Sequence, residues 1–276
     1  MNAPLRSILH PTDFSDLSGA ALAHALCIAL AAKSKLHLVH VSEREATGAL
    51  AFPQVRHLLV QWGLADENDP PWVISDNLGL EVDSADIRWQ NPAEGIVGFL
   101  GQHSADLVVF ATHGRDGLER WMKGSVSEAV LRRLAIPALF VTLGARGFVS
   151  QVNGDIQLRR VLIPVDVSPP ADETVETVLG FIRLLGVESI MLHLLHIGHT
   201  VPPLRATLSD GTRLPPVILR SGNVVQSIVD AAIEFDVDLI GMPTAGHHGV
   251  LDALRGSTTE RVIRHAPCPV LAIPVL

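Results

Sequence analysis

Two short stretches of this chain carry the residue types that hold an anion on backbone rather than on charge. Ala111-Thr112-His113-Gly114 is followed after nine residues by Gly124-Ser125, and Pro243-Thr244-Ala245-Gly246 is followed after nine by Gly256-Ser257. Glycine lets a phosphate approach the main chain closely, and the free N–H groups at a helix start bind it with the help of the helix dipole. Each stretch follows an aliphatic run that opens on aspartate, Asp106-Leu107-Val108 or Asp238-Leu239-Ile240. The local order is strand, glycine-bounded loop, helix N-terminus. The copies lie 132 positions apart (Gly246 against Gly114), which marks an internal repeat. A plainer chemistry competes with this one. Ser125-x-x-Glu128 and Ser257-x-x-Glu260 are capping boxes, in which serine and glutamate satisfy the helix's own N–H groups without any ligand. A cap alone, however, needs no upstream glycine at the end of a buried strand, whereas a phosphate cradle does.

The elements around these loops follow from periodicity and punctuation. A first strand over Ser7 to Pro11 runs into Thr12-Asp13-Phe14-Ser15, after which Asp16 or Ser18 caps an alanine-rich helix over Gly19 to Ala32. Asp13 thus stands at a strand's carboxyl end. A second strand covers Leu36 to Val41, and the connection from Glu43 to Ile87 contains a helix near Gln54 to Leu64. A third strand near Ala85 to Trp89, an Asn91-Pro92 helix start, a helix to Gln102, a strand over Asp106 to Phe110 and a last strand over Pro137 to Val141 complete the round. Alternation of this kind predicts α/β architecture with a doubly wound parallel sheet.

The round then repeats. Arg160 to Ser168 matches Ser7 to Ser15, with Asp166 on Asp13, and Leu192 to Ile197 matches Leu36 to Val41, with His193 on His37 and His196 on His40. The offset falls from 156 at the second strand to 132 at the glycine loop, so the second copy is 24 residues shorter between strands two and three. Pro202, Pro203, Pro215 and Pro216 occupy that stretch and leave little room for a helix. The expected organisation is a first domain over 1–143, a linker over 144–157 and a second domain over 158–276.

Composition narrows the function classes. Hydrophobic residues make up 47% and aromatic residues 4%, with no tyrosine, so aliphatic packing must dominate. A formal charge of −8 without a basic run argues against nucleic-acid and anionic-membrane binding. The N-terminus lacks a signal-peptide pattern, and the longest apolar stretch, Gly19 to Ala32, is too short to span a bilayer; a cytoplasmic protein is expected. Cys27 and Cys268 fit no metal or redox spacing and read as reduced core residues. His193, His196 and His199 are spaced by three, which puts neighbours on opposite faces of a strand, and they read as strand and loop histidines rather than zinc ligands. There is no P-loop, nucleophile elbow or acid–base pair, so no catalytic residue is assigned. Asp13 and Asp166 have the chemistry either to hold a phosphate-bridging metal or to cap a turn.

The two glycine loops, each followed by a proline-introduced strand (Ile136 to Val141, and Ala266 to Ile273), resemble the universal stress proteins. The resemblance covers nearly the whole chain as two tandem domains. It implies five-stranded parallel sheets of strand order 3-2-1-4-5, paired through their last strands into an intramolecular pseudo-dimer, Ala138 to Val141 against Val270 to Ile273. It also implies an ATP-binding stress-response or signalling module, with magnesium as a companion ion. By position, Pro11, Thr12 and Asp13 would face ribose and adenine, Val41 would line the adenine pocket, and Gly114, Gly124 and Ser125 would hold the phosphates, the nucleotide ordering this loop. Ala111 stands where the family's first glycine lies, a small change. In the second copy Asp166, Ile197, Gly246, Gly256 and Ser257 remain, but Pro243 replaces that glycine and removes an N–H, which weakens the second site. A protein partner and a homodimer are further expectations. Two alternatives stand beside this reading: a nucleotide-free interaction scaffold, and a slow ATPase or self-phosphorylating protein.

Overall fold

The computed structural model describes residues 5–13, 18–42, 54–112, 136–142, 144–205, 207–208, 210–245 and 258–275. In chain order the first half contains β1 (Ser7–Pro11), α1 (Ser18–Ala32), β2 (Lys35–Ser42), α2 (Gln54–Gln61), α3 (Pro71–Leu78), β3 (Glu81–Arg88), α4 (Pro92–Gln102), β4 (Leu107–Thr112) and β5 (Ala138–Thr142). The second contains β6 (Arg160–Pro164), α5 (Ala171–Leu184), β7 (Met191–Ile197), β8 (Val217–Arg220), α6 (Val224–Glu234), β9 (Leu239–Ala245), α7 (Thr258–His265) and β10 (Val270–Val275).

All ten strands form one sheet, in the order β3-β2-β1-β4-β5-β10-β9-β6-β7-β8. Each half therefore has the order 3-2-1-4-5. Neighbours within a half are parallel; the halves meet at an antiparallel seam in which Ala138, Leu139 and Phe140 pair with Ala272, Leu271 and Val270. The expected pairing of the last strands is present, over three of the four residues expected on each side.

Strands covered on both faces read as unbroken apolar runs, and β1 and β5 are buried at every position. One core layer packs Ile8, Leu26, Leu107, Leu139, Phe181 and Leu271 on the α1/α5 face. The other packs Leu9, Ile96, Phe140, Leu162, Ile228 and Val270 on the α4/α6/α7 face. Both layers cross the seam. Helix α1 is buried without a break from Ala21 to Ala29, which explains why it is apolar all round rather than striped.

Part of its cover is the segment between the halves. Phe148 is fully buried, edge-on to His24 at 4.5 Å between ring centroids. His24 donates through Nδ1 to the Ala20 carbonyl (2.7 Å) and accepts at Nε2 from the backbone N–H groups of Phe148 (3.1 Å) and Val149 (3.3 Å). A side chain at Gly147 would place its Cβ 2.5 Å from His24 Cε1, so only glycine lets the segment lie this close.

The strand ends are pinned by the two aspartates that open the aliphatic runs. Asp106 Oδ2 accepts from the N–H groups of Arg6 (2.7 Å) and Ser7 (3.0 Å), and Asp238 Oδ2 accepts from those of Arg159 and Arg160, both at 2.8 Å. These contacts set the start of β1 against β4 and of β6 against β9. Two boundaries differ from expectation. β3 begins at Glu81, because an edge strand needs backbone pairing with β2 over eight positions but no continuous apolar run. Helix α3, within the long connection, is framed by Pro70-Pro71 and by Gly79 in the left-handed conformation (φ 64°). Between β7 and β8 no helix occurs among the described residues, only a bridge between Thr207 and Arg213.

Candidate functional site

Ligands of open α/β sheets sit beyond the carboxyl ends of the strands, where neighbouring connections depart to opposite faces. In the first half that point lies between β1 and β4, which pair at Ile8–Leu107 and Leu9–Val108. Pro11 ends β1 and is buried; Thr12 follows, 8% exposed, and Asp13 emerges to solvent. Thr12 N–H donates to the Val39 carbonyl (2.9 Å), its hydroxyl donates to Ser18 Oγ (3.3 Å), and its own carbonyl accepts from His40 Nδ1 (2.9 Å). The backbone that presents Asp13 is thus held from β2 and from α1. One residue before this turn, His10 Nδ1 donates to the Val109 carbonyl (2.9 Å) and ties β1 to β4. Burial pushes its pKa down to about 4, against the weaker opposite pulls of the Val109 hydrogen bond and the Asp13 charge.

Val41 lies half-buried near the end of β2, and Ala111 and Thr112, also half-buried, end β4. Gly95 of α4 sets the depth at Val41: a Cβ there would fall 2.8 Å from Val41 Cγ1, so the helix approaches more closely than alanine would permit. Thr112 Oγ1 donates to Thr142 Oγ1 (3.1 Å), closing the ends of β4 and β5 together. Asp13, Val41 and Ala111 therefore stand at the carboxyl ends of three adjacent strands, β1 in the middle. Gly114, Gly124 and Ser125, and their counterparts Gly246, Gly256 and Ser257, lie outside the described residues. Trp89, which the sequence reading left unused, sits beside Val41 with its indole N–H on Glu94 Oε2 (3.0 Å) and 47% of its surface exposed. The signal for it was a lone aromatic directly after a strand.

The second half copies the frame but not the detail. Val165 N–H donates to Leu195 O (2.8 Å) and its carbonyl accepts from His196 Nδ1 (2.9 Å), matching Thr12 and His40. Asp166 then turns back on itself, Oδ1 accepting from Val167 N–H (2.7 Å) at 3.8 Å from His196 Nδ1. Ile197 is half-buried at the end of β7. Pro243 lies within β9, opposite Ile273, and its carbonyl accepts from Thr259 Oγ1 (3.1 Å).

The strand histidines have structural partners. His193 stacks on Phe235 with centroids 4.4 Å apart, and His37 packs edge-on to Phe99 at 5.4 Å. Among the described residues no group of three or more His, Cys, Asp or Glu side chains is arranged to hold a metal, and no helix is long and apolar enough to cross a membrane. Cys27 and Cys268 are free and buried, and burial pushes both thiols up, Cys27 to about 11.

The chain is similar to known proteins in sequence and in fold. A family model described as the universal stress protein family matches residues 4–142 and 203–274. A universal stress protein of Methanocaldococcus jannaschii is 29% identical over 140 residues, spanning 49% of this chain and 81% of that protein. One of Synechocystis is 27% identical over 140 residues, spanning 44% of this chain and 89% of its own length. The crystal structure of a universal stress protein from Archaeoglobus fulgidus superposes with a TM-score of 0.61 at 20% identity, over 97% of this chain and 96% of that one, a likeness of fold. With the family model matching in both halves and the sheet built as two halves of order 3-2-1-4-5, this chain belongs to the universal stress protein family as a tandem, two-domain member.

Proposed function

We propose that the chain is an adenine-nucleotide-binding stress-response module whose first half holds ATP with magnesium. The observation that carries this reading is the meeting of Asp13, Val41 and Ala111 at the carboxyl ends of β1, β2 and β4, immediately before a loop whose sequence pairs Gly114 with Gly124-Ser125. The exposed Asp13 carboxylate suits a ribose hydroxyl or a phosphate-bound magnesium, and half-buried Val41 suits the apolar face of a base. Backbone amides of the glycine loop would take the phosphates. A protein partner would then read the bound form through its different affinity for the two states.

For the second half a nucleotide-free scaffold is the better reading. Asp166 Oδ1 already accepts from Val167 N–H, and Pro243 offers no N–H where Ala111 has one. The test is calorimetric titration of nucleotide-stripped full-length chain with ATP and magnesium, beside a Gly124→Ala/Ser125→Ala variant. Saturable binding near one site per chain, lost in the variant, is expected. Two sites would overturn the asymmetry; none at millimolar ATP would overturn the nucleotide reading altogether.

A further inference from the structure

Helices α6 and α7 border a groove of about 820 Å³ that lies apart from the strand ends discussed above. The segment leaving β5 contributes Thr142, Gly144 and Ala145 to it, so both halves of the chain build the walls. One wall is apolar. Val225 and Val229 are under a tenth exposed, and Ile233 follows at the same four-residue spacing, 61% exposed. The other wall carries the basic side chains of Arg261 and Arg264, with His265 beside them on α7.

The charges on that wall are not all spent. Arg264 Nη2 donates to Glu260 Oε1 (2.9 Å), while its Nε is buried with no acceptor. Arg261 has no acidic partner among the described residues; its carbonyl accepts from His265 Nδ1 (2.7 Å), which leaves His265 Nε2 unused. Of the carboxylates on α6, Asp230 accepts from the Gln226 side chain (2.8 Å) and Glu234 pairs with Arg220. The balance is about one uncompensated cation beside an apolar strip. Basic residues in a last turn are ordinary complements of a helix dipole, but that role does not call for an exposed isoleucine alongside. At the 132-residue offset the sequence of the first repeat keeps Arg132 and Arg133 where the second has Arg264 and His265, but carries Gly101 where it has Ile233 and Ala129 where it has Arg261.

We propose that this groove binds a linear monocarboxylate of fatty-acid type, its chain along Val225, Val229 and Ile233 and its carboxylate on Arg261. The strip from Val225 to Ile233 is about 12 Å long at the helical rise, which suits a medium-length alkyl chain. A single negative charge matches the single free guanidinium better than a dianionic phosphate does, because a second charge would find only the Glu260-paired Arg264. The site is independent of nucleotide.

Calorimetric titration of the full-length chain with decanoate below its micelle concentration tests this, with decan-1-ol and acetate as the two half-ligands. Saturable binding at one site per chain is expected for decanoate, and affinity should fall about tenfold or more both in Arg261→Ala and in Ile233→Gln. Both side chains are exposed, and unchanged melting temperatures would confirm that the variants fold. Failure of decanoate to saturate, equal affinity for decan-1-ol, or unchanged affinity in either variant would overturn the proposal.

Discussion

Two buried histidines should cost this protein stability as the pH falls below 6.5. His10 and His24 are both about fully buried, and burial lowers each pKa from 6.5 to about 4. Above pH 6.5 both are neutral folded or unfolded, and their contribution is complete. As pH falls from 6.5 towards 4 the unfolded chain takes up protons that the folded chain refuses, so stability drops by about 1.4 kcal/mol per pH unit for each histidine and levels off below 4. Urea unfolding between pH 7 and 4.5 should show this loss, and His24→Leu should flatten the slope by one proton. The same variant should lower stability at pH 7 by about 2 kcal/mol, because the Phe148 and Val149 N–H groups lose their acceptor. A slope unchanged in the variant would remove His24 from this role. Neither histidine was marked by its neighbours in sequence: His24 interrupts an alanine helix, and the backbone it caps lies more than a hundred positions away. Asp13 and Val41 were readable because their role is set by the end of a strand, a local feature.

The strands and helices were mostly readable, and the exceptions share one cause. β4 and β5 are continuous apolar runs and β1 and β2 are apolar runs interrupted only by histidine, whereas β3 reads Glu-Val-Asp-Ser-Ala-Asp-Ile-Arg and owes its length to pairing with β2. Partner-dependent structure leaves little trace in a segment's own composition. The aspartates opening the fourth-strand runs were visible as a repeat, but their work as acceptors for the starts of β1 and β6 required the fold. Burial separates the two. Asp106 is exposed, while Asp238 is 5% exposed and also takes the Arg146 guanidinium. Asp238→Ala should therefore cost about 3 kcal/mol in chemical denaturation, and Asp106→Ala about 1 kcal/mol. Equal losses would mean that the backbone contacts, not the buried charge, carry the effect.

The ten-stranded sheet should also unfold as one unit. Both core layers pass through the β5–β10 seam, and the segment between the halves is held on α1 by His24, so neither half can open without exposing the other's apolar surface. Calorimetry of the full chain is expected to give a single transition with matching calorimetric and van't Hoff enthalpies; two resolved transitions would show the seam to be weak. The tandem architecture was readable from the repeat offsets, while the covalent joining of the halves has an effect that no offset announces. In a symmetric pair of identical chains every substitution is made twice, and a change that suits one copy is imposed on the other. Here each is made once. Pro243 stands in β9 while β4 keeps Ala111, and Arg261 and Ile233 face a groove where the first repeat has Ala129 and Gly101. Covalent joining has thus released the two halves from sameness, and one molecule can carry two different surfaces on what began as a single plan.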